Sequence, residues 1–411
     1  MTNREGGPPG ALSLFVSSTG NRRLCVPPGP RWSPRQSRVA QPLLLIAFAL
    51  GVAGCGSHGG THGAAAHPIT PVALPRANPE AQAEFDQGVV VMKLGRKHYK
   101  DARQHFTKAV QLDGKLFEAW HDLGVVETGL GNYDKAVDDF EKALDVQPGS
   151  RKTVLAYGES LRRAHRPQKA AKVYAKWLDS DPKDAEMRAR YGQVLREAGD
   201  LEQSLEEARQ LLSQGGSSGE NIAQAVVAYN ALGLTYYKMA KLDLAETAFR
   251  KAVDLDAKSA FVWNNLGLVA FERGHDQEAF LNFQKASELD PKYLQARLNK
   301  ASVYLDCGDY KHAHDELLEA VRIDPNDAEA QVALGVAARG DGKLDEARRA
   351  YERALDIEDD YAPALFNLGV LYMDFDKDKT KAKSYLTQYT QSGDATDAKR
   401  QEAQARLKEL Q

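Results

Sequence analysis

Few residues in this sequence have the types and spacing that chemistry requires. His58, His62 and His67 stand close together, and imidazoles at such spacing can hold a transition metal. No carboxylate or thiolate joins them as a ligand, and the surrounding "GSHGGTHGAAAHPITP" is dominated by Gly, Pro and Ala, so they read as solvated histidines. Asp374, Asp376 and Asp378 imitate the start of a calcium loop. Such a loop needs glycine at its sharp turn and a closing bidentate glutamate. Lys379 and Tyr385 hold those places, so a plain acidic turn is expected. His312 and His314 lie two apart on a predicted helix, point to different sides, and read as surface residues. The chain carries no Gly-rich phosphate loop with its lysine, no H-E-x-x-H, no G-x-S-x-G and no paired C-x-x-C. The expectation is no enzyme, no cofactor, no metal and no small-molecule substrate.

The 54 Lys and Arg against 57 Asp and Glu leave no basic excess to hold phosphates, so no nucleic-acid partner is expected. The charge is uneven, however. Residues 1–54 carry six arginines and one acid, Glu5, and without them the formal charge moves from −3 to −8. A basic head on an acidic body reads as a targeting segment. Its apolar run, Leu43 to Ala53, has eleven residues. That is too short for a bilayer core of about 30 Å, but it suits the centre of a secretory signal. The sequence Val52-Ala53-Gly54-Cys55 resembles a bacterial lipobox, which implies cleavage before Cys55 and lipid attachment to it. The head is long for a signal; a translation start downstream, for example at Val26, would give an ordinary length. Loss of Cys25 and acylation of Cys55 leave too few cysteines for a disulfide framework. Packing must then hold the fold, and Cys307 reads as a structural cysteine. Residues 55–79 read as a flexible tether.

The elements that follow are fixed by a repeat. In "AWHDLGVVETGLGNYDKAVDDFEKALDVQPGS", Trp120, Leu123, Gly124, Gly131, Tyr133, Ala136, Phe140, Ala143 and Pro148 stand at offsets that recur at Trp263, Leu266, Gly267, Gly274, Ala279, Phe283, Ala286 and Pro291. The mid-repeat small residue returns at Ala102, Ala136, Ala170, Ser204, Ala245, Ala279, Ala313, Ala347 and Ala382. Most of these steps are 34 residues; two are longer, 41 before Ala245 and 35 before Ala382. Each unit reads as two helices joined at a glycine-containing turn and ended by proline, which lacks the N–H and clashes with the preceding turn. Small residues such as Gly124, Gly158 and Gly267 let the paired helices approach; large ones fill the space between units. The register closely resembles the tetratricopeptide (TPR) repeat over roughly residues 80–393. The resemblance implies an all-α, right-handed superhelix (α-solenoid) of about nine helix-turn-helix repeats, which folds as a stack because one unit cannot bury its apolar face alone. The expected division is repeats 1–4 over 80–212, a Gly/Ser hinge or loop over 213–224, repeats 5–9 over 225–393, and a capping helix over 394–411. Departures are the two extra residues between Gly95 and Tyr99, the weak fourth repeat with Ser204 and Ala208, and the loose ninth around "DFDKDKTKAKSY".

In TPR proteins the first helix of each repeat lines a concave groove. Carried onto this chain, the groove offsets hold Asn265, Asn299 and Asn367, with Asp122 in the second repeat, and beside them Asn230 and Asn264. Side-chain amides suit an extended peptide, because each offers a donor and an acceptor. Two further offsets hold an apolar strip, Leu234, Tyr237, Leu268 and Phe271. Lys152, Arg162, Arg163 and Arg196 form a basic patch that could meet an acidic segment. The Lys/Asn/Arg clamp that some TPR domains use for a C-terminal carboxylate is missing at the required offsets. The resemblance implies a protein-binding scaffold. With the lipobox, it points to a lipoprotein on the periplasmic face of the outer membrane, since Gly56 is not the aspartate that retains many such proteins in the inner membrane. The expected role is an assembly factor for a gliding-motility or type IV pilus and secretion machine. The alternative is an adaptor docking peptidoglycan hydrolases or proteases, with a TPR-bearing enzyme far behind. The expected partners are proteins of an envelope complex, with the membrane reached through the lipid.

Overall fold

The computed structural model describes residues 78–215, 221–393 and 395–410. The expected signal segment, the lipidation site Cys55, the tether histidines and residues 216–220 of the Gly/Ser stretch lie outside those residues. Among the described residues the fold is all-α, a solenoid of paired helices. The first four pairs are α1 (Pro79–Lys93) with α2 (Tyr99–Leu112), α3 (Phe117–Gly129) with α4 (Tyr133–Val146), α5 (Arg151–Arg163) with α6 (Pro167–Ser180), and α7 (Ala185–Ala198) with α8 (Leu201–Gln214). After the Gly/Ser stretch come α9 (Ile222–Lys238) with α10 (Leu242–Leu255), α11 (Ala260–Glu272) with α12 (Asp276–Leu289), and α13 (Leu294–Asp306) with α14 (Tyr310–Ile323). The last pairs are α15 (Ala328–Gly340) with α16 (Leu344–Ile357) and α17 (Ala362–Leu371) with α18 (Lys379–Gln391); α19 (Asp397–Glu409) follows. No helix among the described residues is long and apolar enough to cross a membrane.

The repeating residues explain the pairing. In repeats 1, 2, 3, 5, 6 and 8 an aromatic ring of the second helix lies over a glycine of the first, closer than 3.0 Å to where a Cβ would stand: Phe106 on Gly88, Phe140 on Gly124, Tyr174 on Gly158, Phe249 on Gly233, Phe283 on Gly267, Tyr351 on Gly335. Glycine is there because nothing larger fits. The mid-repeat alanines Ala102, Ala136, Ala170, Ala245, Ala279, Ala313, Ala347 and Ala382 are fully buried. Each second helix also packs on the first helix of the next repeat, so the core runs on from unit to unit. Odd-numbered helices touch their odd neighbours directly, as in α1–α3, α3–α5, α7–α9, α9–α11 and α11–α13. They form the inner layer. Trp120 and Trp263 pin the preceding turn. Each indole N–H donates to the carbonyl six residues back, Gly114 and Ala257, at 2.9 Å.

Within most pairs the turn needs a left-handed residue. Gly131 and Gly308 supply it at φ 82° and 72°; in repeats 3 and 5 His165 and Ala240 are forced into the same conformation at φ 57° and 56°, which costs a non-glycine residue about 1–2 kcal/mol. The irregular repeats have structural causes. The extra residues after Gly95 form a 3₁₀ turn, Arg96–His98. The one-residue surplus in repeat 9 is absorbed by a π-turn, Tyr372–Asp376, the usual way to fit an insertion without breaking a helix. Its acidic run is fully employed: Asp374 pairs with Arg406 at 3.1 Å, Asp376 with Arg348 at 2.9 Å, and Asp378 caps α18. His314 corrects the surface expectation. It is 4% exposed and bonds Glu346 at 3.0 Å across to the next repeat, while His312 is exposed.

Candidate functional groove

The close-packing glycine gives each inner helix a common origin, and residues spaced about one turn from it share a face. Two and three positions before it stand the asparagines. The structure gives them a different use from the expected one. Asn265 Nδ2 donates to Asn230 Oδ1 at 2.8 Å, joining α11 to α9, and Asn299 Nδ2 donates to Asn264 Oδ1 at 2.8 Å, joining α13 to α11. Asn264 and Asn299 are 0% exposed and Asn265 is 6% exposed. These amides are rungs between neighbouring inner helices rather than hooks for a peptide, each buried where water cannot serve it; the Nδ2 of Asn264 has no acceptor among the described residues. Asn367 is half-buried and donates to the Pro363 carbonyl of its own helix at 2.8 Å. Asp122, at the equivalent place in repeat 2, is half-buried, and burial raises its carboxyl above the usual range.

The apolar strip divides. Leu268 is buried in the cluster that holds Phe283 and Val303, so it is core. Leu234, Tyr237 and Phe271 are half-buried at the edge of the same packing, and burial pushes the Tyr237 phenol up to about 12. Two residues missed by the sequence reading extend the strip. Val227 and Phe261 stand six positions before Gly233 and Gly267 and are 40% and 38% exposed. Their signal was present, since 34 residues separate two large apolar side chains at one register position.

Half of the basic patch is neutralised. Arg162 makes two 2.9 Å hydrogen bonds to Glu159 and a 3.2 Å bond to Glu197, and Arg163 bonds Glu159 at 2.8 Å. Burial opposes the Glu159 charge, but the two guanidiniums outweigh it and hold its carboxyl down at about 2. Lys152 is exposed and lies over the Phe117 ring at 5.5 Å. Arg196 has no ion pair among the described residues, and its Nη1 is buried without an acceptor, as is that of Arg339 at the same register position in repeat 8. Burial lowers the Arg196 pKa to about 10, opposed by the charge of Glu197. Arrangements that could hold a metal, three or more His, Cys, Asp or Glu together, do not occur among the described residues.

Comparison with known proteins agrees with the architecture. Family profiles described as tetratricopeptide repeat match residues 117–150, 155–219, 226–259, 260–293, 298–363 and 332–382, together more than half of the chain. Among curated proteins, the chain is 25% identical over 166 residues to Anaphase-promoting complex subunit 3 of Schizosaccharomyces pombe, covering 40% of this chain and 24% of that protein. It is 24% identical over 186 residues to the Peroxisomal targeting signal receptor of Komagataella phaffii, covering 45% and 32%. The chain thus spans about a quarter to a third of the length of these relatives. Among solved structures, the crystal structure of the APC/C hetero-tetramer Cut9-Hcn1 matches with a TM-score of 0.50 at 15% identity, over 81% of this chain and 64% of that one.

Proposed function

Because the chain belongs to the tetratricopeptide-repeat family, we propose that it is a scaffold gripping a segment of a partner protein along the inner face of repeats 5 and 6. The observation that carries this is the strip formed by exposed Val227 and Phe261 beside half-buried Leu234, Tyr237 and Phe271. Water-facing aromatic and aliphatic groups aligned on successive inner helices suit a helix or extended segment that offers apolar side chains at regular spacing. The two amide rungs beneath keep α9, α11 and α13 in fixed register, so the strip is held ready before binding.

The finer reading places the protein at the periplasmic face of a bacterial outer membrane, anchored by lipid on Cys55, as an assembly factor for a motility, pilus or secretion machine. Its support is the order of positive flank, apolar run, small residues and cysteine before a Gly/Pro/Ala-rich stretch. Several acyl chains, at about 0.8 kcal/mol per buried CH₂, anchor firmly.

Chemical cross-linking and pull-down from native membranes tests the partner, with wild type compared with a Phe261→Glu, Phe271→Ala variant whose melting temperature is checked first. Motor, secretin or pilus proteins recovered only by wild type support the reading. The same partners held by both proteins remove the groove from it, and cell-wall hydrolases in their place turn the scaffold into an adaptor. Labelled palmitate taken up by wild type and not by Cys55→Ser supports the anchor; equal labelling or none overturns it.

A further inference from the structure

Repeat 4 lacks the ring that closes every neighbouring pair: Ala208 stands where Phe140, Tyr174 and Phe249 stand in repeats 2, 3 and 5. Over Gly192 the nearest atoms are therefore Glu207 Cβ at 3.8 Å and Arg196 Nη1 and Ser204 Oγ at 3.9 Å, instead of a ring under 3.0 Å. The Arg196 guanidinium lies at this opening. It lies four residues after the glycine, the register position of Tyr237 and Phe271 on α9 and α11, so it belongs to the inner layer immediately before the apolar strip. The arginine at the same position one repeat earlier, Arg162, is clasped by Glu159 and Glu197. Those acids serve Arg162 and Arg163, and the remaining buried acid of repeat 4, Glu207, is taken by Arg188. Nη1 of Arg196 is left buried with no acceptor among the described residues.

Arg196 is half-buried, and a guanidinium nitrogen that loses water without gaining an anion is costly to keep, so an apolar residue of similar size would be the more stable choice there. We infer that Arg196 is the anion receptor of the groove and takes the side-chain carboxylate of an acidic residue in the partner segment whose apolar side chains lie along repeats 5 and 6. The inference rests on the groove reading above. A guanidinium suits the role because its fixed fork can present parallel N–H donors to a carboxylate.

The test is a selection of random dodecapeptides, displayed on phage, against the full chain as wild type, Arg196→Leu and Phe261→Ala. Peptides recovered on wild type are then titrated by fluorescence anisotropy, C-terminally amidated, with the acidic residue present or replaced by its amide. The expected result is an Asp or Glu beside apolar residues, an amide version weaker by about tenfold or more, loss of that difference in Arg196→Leu, and a variant that melts no earlier than wild type. Survival of the acid-to-amide ratio in Arg196→Leu overturns the inference. So does an equal loss for both peptides, which would make Arg196 only a shaping residue. Peptides chosen by apolar residues alone and weakened by Phe261→Ala leave the groove reading standing and overturn this one. A selection that yields nothing sensitive to Phe261→Ala overturns the groove reading itself.

Discussion

On the inner face of repeat 3, Arg162 and Arg163 are clasped by Glu159, with Glu197 reaching in from repeat 4. On the same face of repeats 5 to 7, neighbouring helices are joined by the amide pairs Asn230–Asn265 and Asn264–Asn299, with no formal charge in the joint. Both arrangements tie one repeat to the next. The ionic one depends on pH and salt and leaves a polar surface. The amide one is buried, insensitive to both, and leaves room above it for Val227, Phe261, Tyr237 and Phe271. A repeat register can thus be kept while the face it presents changes from self-satisfied charge to open apolar surface.

Four comparisons sharpen or break that contrast. The largest effect is expected at the glycines. Gly267→Ala drives a methyl into the Phe283 ring and should cost about 1–3 kcal/mol in a urea melt followed by circular dichroism. Gly192→Ala meets no ring and should be neutral or gain up to about 1 kcal/mol from helix propensity; equal losses at both would mean that repeat 4 is closed like the others. Next, Asn299→Ala strands the buried Oδ1 of Asn264 and should cost about 1–3 kcal/mol, whereas changing Asn264 and Asn299 together to Leu should cost less than the single change. Additive costs in that cycle would remove the coupling.

The ionic joint is tested by pH. Glu159 has its folded pKa held at about 2, below the ordinary 4.5, so its contribution is fully present above pH 4.5 and is lost as pH falls toward 2. Glu159→Gln should remove that acid-side loss and lower stability at neutral pH by about 1–2 kcal/mol, since the side chains are partly screened by water. Melting temperatures of the two proteins should converge toward pH 2; a constant gap would refute the ionic assignment. The smallest effect is a gain. Ala240→Gly relieves a left-handed residue at φ 56° and should raise stability by about 0.5–1 kcal/mol, with His165→Gly behaving alike in the first array.

The helices and their close-packing positions were legible because one physical constraint, a glycine under a ring, recurs at a fixed spacing. The groove was only half legible. An asparagine on an inner helix has the same spacing whether it hooks a peptide or bonds an asparagine 35 residues away, and only the helix separation decides between them. Arg196 belonged to a run of basic residues in one dimension. In three, Arg162 and Arg163 are paired with acids and Arg196 is not. His314 reads as exposed from its neighbour His312, yet the twist of α14 turns it beneath Glu346.

The ring missing at Ala208 also bears on how the stack behaves as a whole. In a linear stack, stability sums over the repeats and their interfaces; repeat 4 lacks the ring inside its own pair, while α8 still packs through Leu205 and Ala208 on Ala231 and Leu232 of repeat 5. Repeat 4 is therefore expected to hold its own two helices together less firmly than repeats 3 and 5, and the amide hydrogens of α7 and α8 should exchange ahead of those of α5, α6, α9 and α10.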